Sequence, residues 1–118
     1  MNARQLILEF QYSEKIKSQL IIGSNLLPYV EALKGEERAG AEKILKAYLQ
    51  LLVAEIRIAW NTVKSVNYHG AEKHLAESLR RLEMNDLANS NLHISKALSY
   101  ITTSCEAAMT QLQKDHLL

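Results

Sequence analysis

The sequence has little of what interrupts or cross-links a folded chain: one proline, four glycines and one cysteine in 118 residues. Its single cysteine, Cys105, excludes an internal disulfide framework and is typical of a reducing compartment. The chain also lacks runs of alternating polar and apolar residues bounded by turn signals, which half-buried strands would require. We therefore expect a helical, cytoplasmic protein.

An excess of charge of one sign is absent as well. Fourteen Lys and Arg against thirteen Asp and Glu give a formal net charge of +1. Without a basic patch or an acidic tail, there is no electrostatic reason to expect nucleic acid or an anionic membrane. No glycine-rich phosphate loop or paired-cysteine spacing occurs either. We expect no nucleic-acid, membrane or small-molecule partner, no metal and no cofactor.

One strongly apolar stretch, LQLLVAEIRIAW at residues 49–60, has Gln50, Glu55 and Arg57 as its only polar residues. A membrane-spanning helix needs about 20 predominantly apolar residues, so this stretch is too short and too charged to cross a bilayer. It reads instead as part of a helix with several apolar faces.

Good helix formers dominate the chain, and a few breakers divide it into one domain, residues 1–118, of about four helices. The predicted helices are residues 3–34, kinked or broken near Gly23 to Pro28, then 36–66, 69–84 and 87–115, with a break at residues 66–70 and a cap at Asn85 and Asp86. Because the connections are short, neighbouring helices must run antiparallel. The predicted fold is an all-α, antiparallel up-and-down bundle.

Apolar residues in the two longest predicted helices repeat with the alternating spacing of four and three that is typical of bundle packing. The seam of the last helix is Leu87, Asn91, Ile94, Leu98, Ile101, Cys105, Ala108 and Leu112; that of the second is Leu45, Leu49, Leu52, Ile56, Ala59, Val63 and Val66. The second helix carries a further stripe of Ile44, Tyr48, Leu51 and Ile58, about 100° away, which predicts that two different neighbours cover it.

Val53 and Trp60 fall beside the polar ridge of the second helix, where a simple bundle would face water. They are either covered by the first helix or a second copy of the chain, or they form a protein-binding patch with Arg57 at its edge. Trp and Arg are enriched at interface hot spots. The sequence leaves both interpretations open, and Val53, Arg57 and Trp60 are the predicted protein-binding residues.

Candidate catalytic residues are few, and none is assigned. His69 with Glu72 and His74 with Glu77 are spaced i, i+3, which could bring each pair together on a helix. The two pairs diverge by about 140° round the axis, because five residues separate them. A small helical enzyme, or a nucleotide- or metal-linked protein using His69, Glu72, His74 and His93, is the alternative function.

The run YHGAEKHLAESLRRLEMNDLANSNLHISKALSYI, residues 68–101, resembles the central helical hairpin of the flagellin export chaperone family (FliS). The matching positions are Tyr68, Gly70, Ala71, Leu75, Asp86, Asn91, Ile94, Lys96, Ala97 and Ile101. His69 and Asn85 stand where the family usually has Asp and Gly. The resemblance implies a cytoplasmic, non-enzymatic bundle that binds an export substrate on its surface.

These observations favour a non-enzymatic, protein-binding helical bundle, an adaptor or export-chaperone-like protein. It would use surplus apolar helix surface to bind a partner or itself, and we expect a homodimer. A purely structural homo-oligomer is a further alternative.

Overall fold

The computed structural model describes residues 2–117, and over this range the chain forms four α-helices. They are α1 (Ala3–Ala32), α2 (Gly35–Val63), α3 (Val66–Glu83) and α4 (Leu87–Lys114). Each helix packs against its two neighbours in the order α1, α2, α3, α4 and back to α1. Links of two or three residues make consecutive helices antiparallel, which confirms the predicted all-α up-and-down bundle. The bundle measures 54 × 21 × 18 Å.

α1 is a single helix that continues through both of its predicted breakers, so of the two predicted forms, a kinked helix or a broken one, the break is excluded. A Cβ added to Gly23 would lie 3.3 Å from the ring of Tyr48, so the glycine allows α2 to pack closely there. Pro28 removes one backbone donor from the helix. Burial of Leu27 and Val30 on either side of it holds the helical turn in place.

The link between α2 and α3 also differs from prediction. Residues 66–70 form the first turn of α3 rather than a break, and the chain turns at Lys64 and Ser65. Lys64 adopts a left-handed conformation at φ 64°, a role that the sequence signals only when glycine or asparagine stands there. Gly70 lies inside α3, where only glycine leaves room for the ring of Tyr100. A Cβ at position 70 would lie 2.6 Å from that ring.

The α3–α4 turn agrees with prediction, since Asn85 is left-handed at φ 60° and Asp86 accepts a hydrogen bond from the backbone N–H of Asn89. The predicted core seams are buried, with three exceptions, one of which is the half-buried Leu98. Val66 is 75% exposed at the start of α3, and Asn91 is only half-buried. No helix in the described part of the chain is long and apolar enough to cross a membrane.

Candidate protein-interaction surface

The predicted patch around Trp60 is divided between the core and the surface. Val53 is 7% exposed and belongs to the hydrophobic core. Trp60 is half-buried and its ring centroid lies 5.8 Å from that of His69. Arg57 is exposed and its Nε donates to the carboxylate of Glu72 on α3. Val53 therefore lacks the exposure that a binding residue needs.

The surplus apolar surface lies elsewhere, on the side of α2 turned away from the core. Ile44 is 73% exposed, Leu51 is 68% exposed and Ile58 is 52% exposed. Two neighbours were expected to cover both apolar stripes of α2. That expectation is wrong for Ile44, Leu51 and Ile58, because neither neighbour of α2, α1 or α3, covers them.

α1 extends this apolar surface across the groove between α1 and α2. Ile22, Leu26 and Tyr29 are exposed on α1. A groove of about 380 Å³ lies between α2 and the α1 residues Leu26 and Tyr29, and its lining is almost entirely apolar. We call the surface formed by the following seven residues the outer α1–α2 face: Ile22, Leu26, Tyr29, Ile44, Tyr48, Leu51 and Ile58.

Tyr48 fixes the geometry at the centre of the outer α1–α2 face. Its hydroxyl donates to the backbone carbonyl of Gln19 at 2.7 Å, tying α2 to α1. Burial raises the pKa of Tyr48, so the hydroxyl stays a donor at neutral pH. Beside it, Lys15 and Glu55 form an ion pair at 3.4 Å between the two helices. These two contacts join α1 to α2 beside the face.

The four residues of the enzyme hypothesis do not converge. His74 and His93 meet across α3 and α4, with their Nδ1 atoms 3.1 Å apart and their rings stacked. His69 instead lies beside Trp60, and Glu72 pairs with Arg57. Glu77, the expected partner of His74, binds two arginines of its own helix. Within residues 2–117, no group of three or more histidine, cysteine or acidic side chains is placed to hold a metal ion.

The pair of His74 and His93 predicts a pH-dependent stability. Burial, and then the charges of His93, Lys96 and Lys73, lower the pKa of His74, with Glu77 opposing them. A histidine with a lowered folded-state pKa binds its proton more readily in the unfolded chain, so acid favours unfolding. This stabilisation is complete above the ordinary histidine pKa of about 6.5 and is lost as the pH falls below it.

We expect the melting temperature to fall between pH 7.5 and pH 5.5, and to fall less in His74→Asn. Differential scanning fluorimetry across this range makes the measurement. His116→Asn is the matched control, because His116 lies exposed beyond the end of α4 in a left-handed conformation that asparagine accepts. If His74→Asn and wild type show the same pH dependence, the lowered pKa of His74 is not its cause.

The single thiol is placed for stability rather than for nucleophilic attack. Cys105 is buried, and its Sγ donates to Glu14 Oε1 at 3.1 Å. Burial, followed by this hydrogen bond, raises the pKa of Cys105 to about 11. The thiol is therefore protonated at neutral pH, whereas nucleophilic cysteines act as thiolates.

A buried polar cluster closes the bundle near the α2–α3 link. Glu9 is 5% exposed, and its Oε2 accepts from Ser104 Oγ of α4 at 2.5 Å. The Tyr68 hydroxyl donates to the Glu9 backbone carbonyl at 3.0 Å and lies 2.9 Å from Ser13 Oγ. Sequence reasoning missed this cluster, because serine and glutamate give no apolar pattern from which burial could be read.

No protein-family model, no curated protein and no solved structure matches this chain. The resemblance of residues 68–101 to the flagellin export chaperone hairpin accordingly stays a prediction. Any functional proposal depends on the chain's own surface.

Proposed function

We propose that this protein is a non-enzymatic, protein-binding helical bundle that takes up a helix of another polypeptide on its outer α1–α2 face. The observation that carries the proposal is the exposure of Ile44, Leu51 and Ile58, spaced seven residues apart on one helix. Water-facing helices normally place polar residues on that side. Contiguous exposed apolar patches of this kind are typical of interaction sites.

Helical spacing supports a helical ligand. Apolar residues at seven-residue intervals form a nearly straight stripe along α2, and the groove beside α1 opens next to Ile44 at one end of it. An amphipathic helix fills such a groove with side chains from every third or fourth position. The proposal includes a cytoplasmic location and an adaptor or chaperone-like role. The sequence resemblance favours that role. Enzyme activity is less favoured, because His69, Glu72, His74 and His93 do not form one site.

Photo-crosslinking in cells that naturally make this protein tests the proposal directly. With p-benzoylphenylalanine in place of Leu51, we expect covalent adducts heavier than the 13.4 kDa chain, since the probe lies where the ligand helix binds. The matched control carries the same probe at Ser95, an exposed position on α4. Adducts from position 51 that are absent from position 95 support the proposal. A position 51 that forms no more adducts than position 95 overturns it.

A further inference from the structure

Resting on the proposed function, we infer that the helix bound on the outer α1–α2 face is α2 of a second copy of this chain, running antiparallel about a twofold axis. The first reason is the order of side-chain sizes along the exposed stripe of α2. Large residues alternate with small ones at spacings of four and three: Gly40, Ile44, Ala47, Leu51, Ala54 and Ile58. All six are exposed in the single chain.

This order is self-complementary about one level of the helix. In two antiparallel copies related by a twofold axis level with Leu49, residues equally far from position 49 in opposite directions lie at the same height. Ile44 then meets Ala54 of the second copy, and Leu51 meets Ala47. Ile58 likewise meets Gly40. Every layer thus joins one large and one small side chain, the condition for close, interdigitated packing.

α1 fits the same axis. The position of a Cβ on Gly23 lies 3.3 Å from Tyr48 and 3.4 Å from Leu49, so this part of α1 is level with the proposed axis. Its neighbour Ile22 is 51% exposed. A twofold axis at this level brings Ile22 close to Ile22 of the second copy, which continues the apolar contact from α2 to α1.

Two of the charges near the stripe are already paired. Glu55 is paired with Lys15, and Arg57 is paired with Glu72, each on its own chain. Positions 44, 47, 51, 54 and 58 carry no charge. A second copy therefore leaves no unpaired charge at the centre of the interface, where an unpaired charge would cost several kcal/mol.

The available apolar area is close to what a stable dimer needs. A large side chain presents on the order of 200 Å² when fully exposed. At their exposed fractions, the six most exposed members of the outer α1–α2 face present roughly 700 Å² per copy. A standard interface takes about 800 Å² from each partner, and the small residues of the stripe supply part of the remainder.

A size-swap experiment tests the pairing, with the dissociation constant of the dimer measured by light scattering and sedimentation over a dilution series. Ile44→Ala leaves a gap against Ala54 in two layers, and Ala54→Ile creates a clash with Ile44 in the same two layers. We expect each single change to weaken self-association about 100-fold. The double variant Ile44→Ala with Ala54→Ile restores one large and one small residue per layer. We expect its dissociation constant to lie within about tenfold of wild type.

Both positions face water in the single chain, so the variants should fold and melt as wild-type monomers do. A wild-type dimer whose double variant stays as weak as the single variants overturns this pairing. A wild-type monomer at all concentrations overturns self-association. If the Leu51 probe still captures other proteins in cells, the proposed function survives that result; if it captures none, the proposed function fails with it.

Discussion

Ile101→Asp will abolish cooperative folding at neutral pH. Ile101 is fully buried at the centre of α4 and belongs to the continuous hydrophobic core. Losing a buried isoleucine costs about 2–5 kcal/mol, and an unpaired carboxylate in its place adds several more. A domain of this size has a free energy of unfolding of only about 5–15 kcal/mol. The two losses together are therefore comparable to its whole stability. Circular dichroism during heating should show no cooperative transition.

Thr103→Asp is the matched control, placed two residues further along the same helix. Thr103 is exposed, so the new carboxylate stays in water and the stability should change by no more than about 0.5 kcal/mol. An Ile101→Asp protein with the wild-type melting temperature would refute the position of α4 in the core.

The second large effect is expected at Tyr68. Its ring is fully buried, so Tyr68→Ala should lower the free energy of unfolding by about 3–5 kcal/mol. Burial raises the pKa of Tyr68 to about 12, so the hydroxyl stays protonated and donates to the Glu9 carbonyl. Tyr68→Phe keeps the ring but leaves that carbonyl and Ser13 without this partner, and should cost about 1–3 kcal/mol.

Urea denaturation of both variants gives these free energies. Tyr100→Phe is the control, because the Tyr100 ring stacks on His74 while its side chain is partly exposed. We expect that control to remain within about 0.5 kcal/mol of wild type. If Tyr68→Phe proves as stable as the control, the buried hydroxyl contributes no net stability, and the value assigned to its hydrogen bonds is wrong.

The fold was predictable because its signals are local. The spacing of Leu45, Leu49 and Leu52 identifies the core side of α2 without any knowledge of its neighbours. Asn85 and Asp86 mark the α3–α4 turn through their own conformational and capping preferences. The start of α3 was missed for the same reason, since Lys64 carries no local signal for the left-handed conformation that ends α2.

The features that the sequence did not predict depend on contacts between residues that are far apart in the chain. Ser90 is buried on α4 because its hydroxyl donates to the Ser78 carbonyl, while the Ser78 hydroxyl donates to the Ser90 carbonyl. No periodicity of apolar residues predicts such a pair. The outer stripe of α2 was visible in the sequence, but the exposure of Ile44, Leu51 and Ile58 follows from the ring order of the helices, in which neither α1 nor α3 covers them.

The polar contacts of Tyr68 have a consequence for how the helices align along their axes. Ser13 lies seven residues from Leu6 and from Leu20, all buried on one side of α1. Sliding α1 by seven residues, about 10.5 Å, would keep the same side of the helix facing the bundle. It would also place a leucine opposite the Tyr68 hydroxyl and carry the Glu9 carboxylate away from Ser104. These hydrogen bonds therefore favour the observed alignment of α1 over one shifted by two turns.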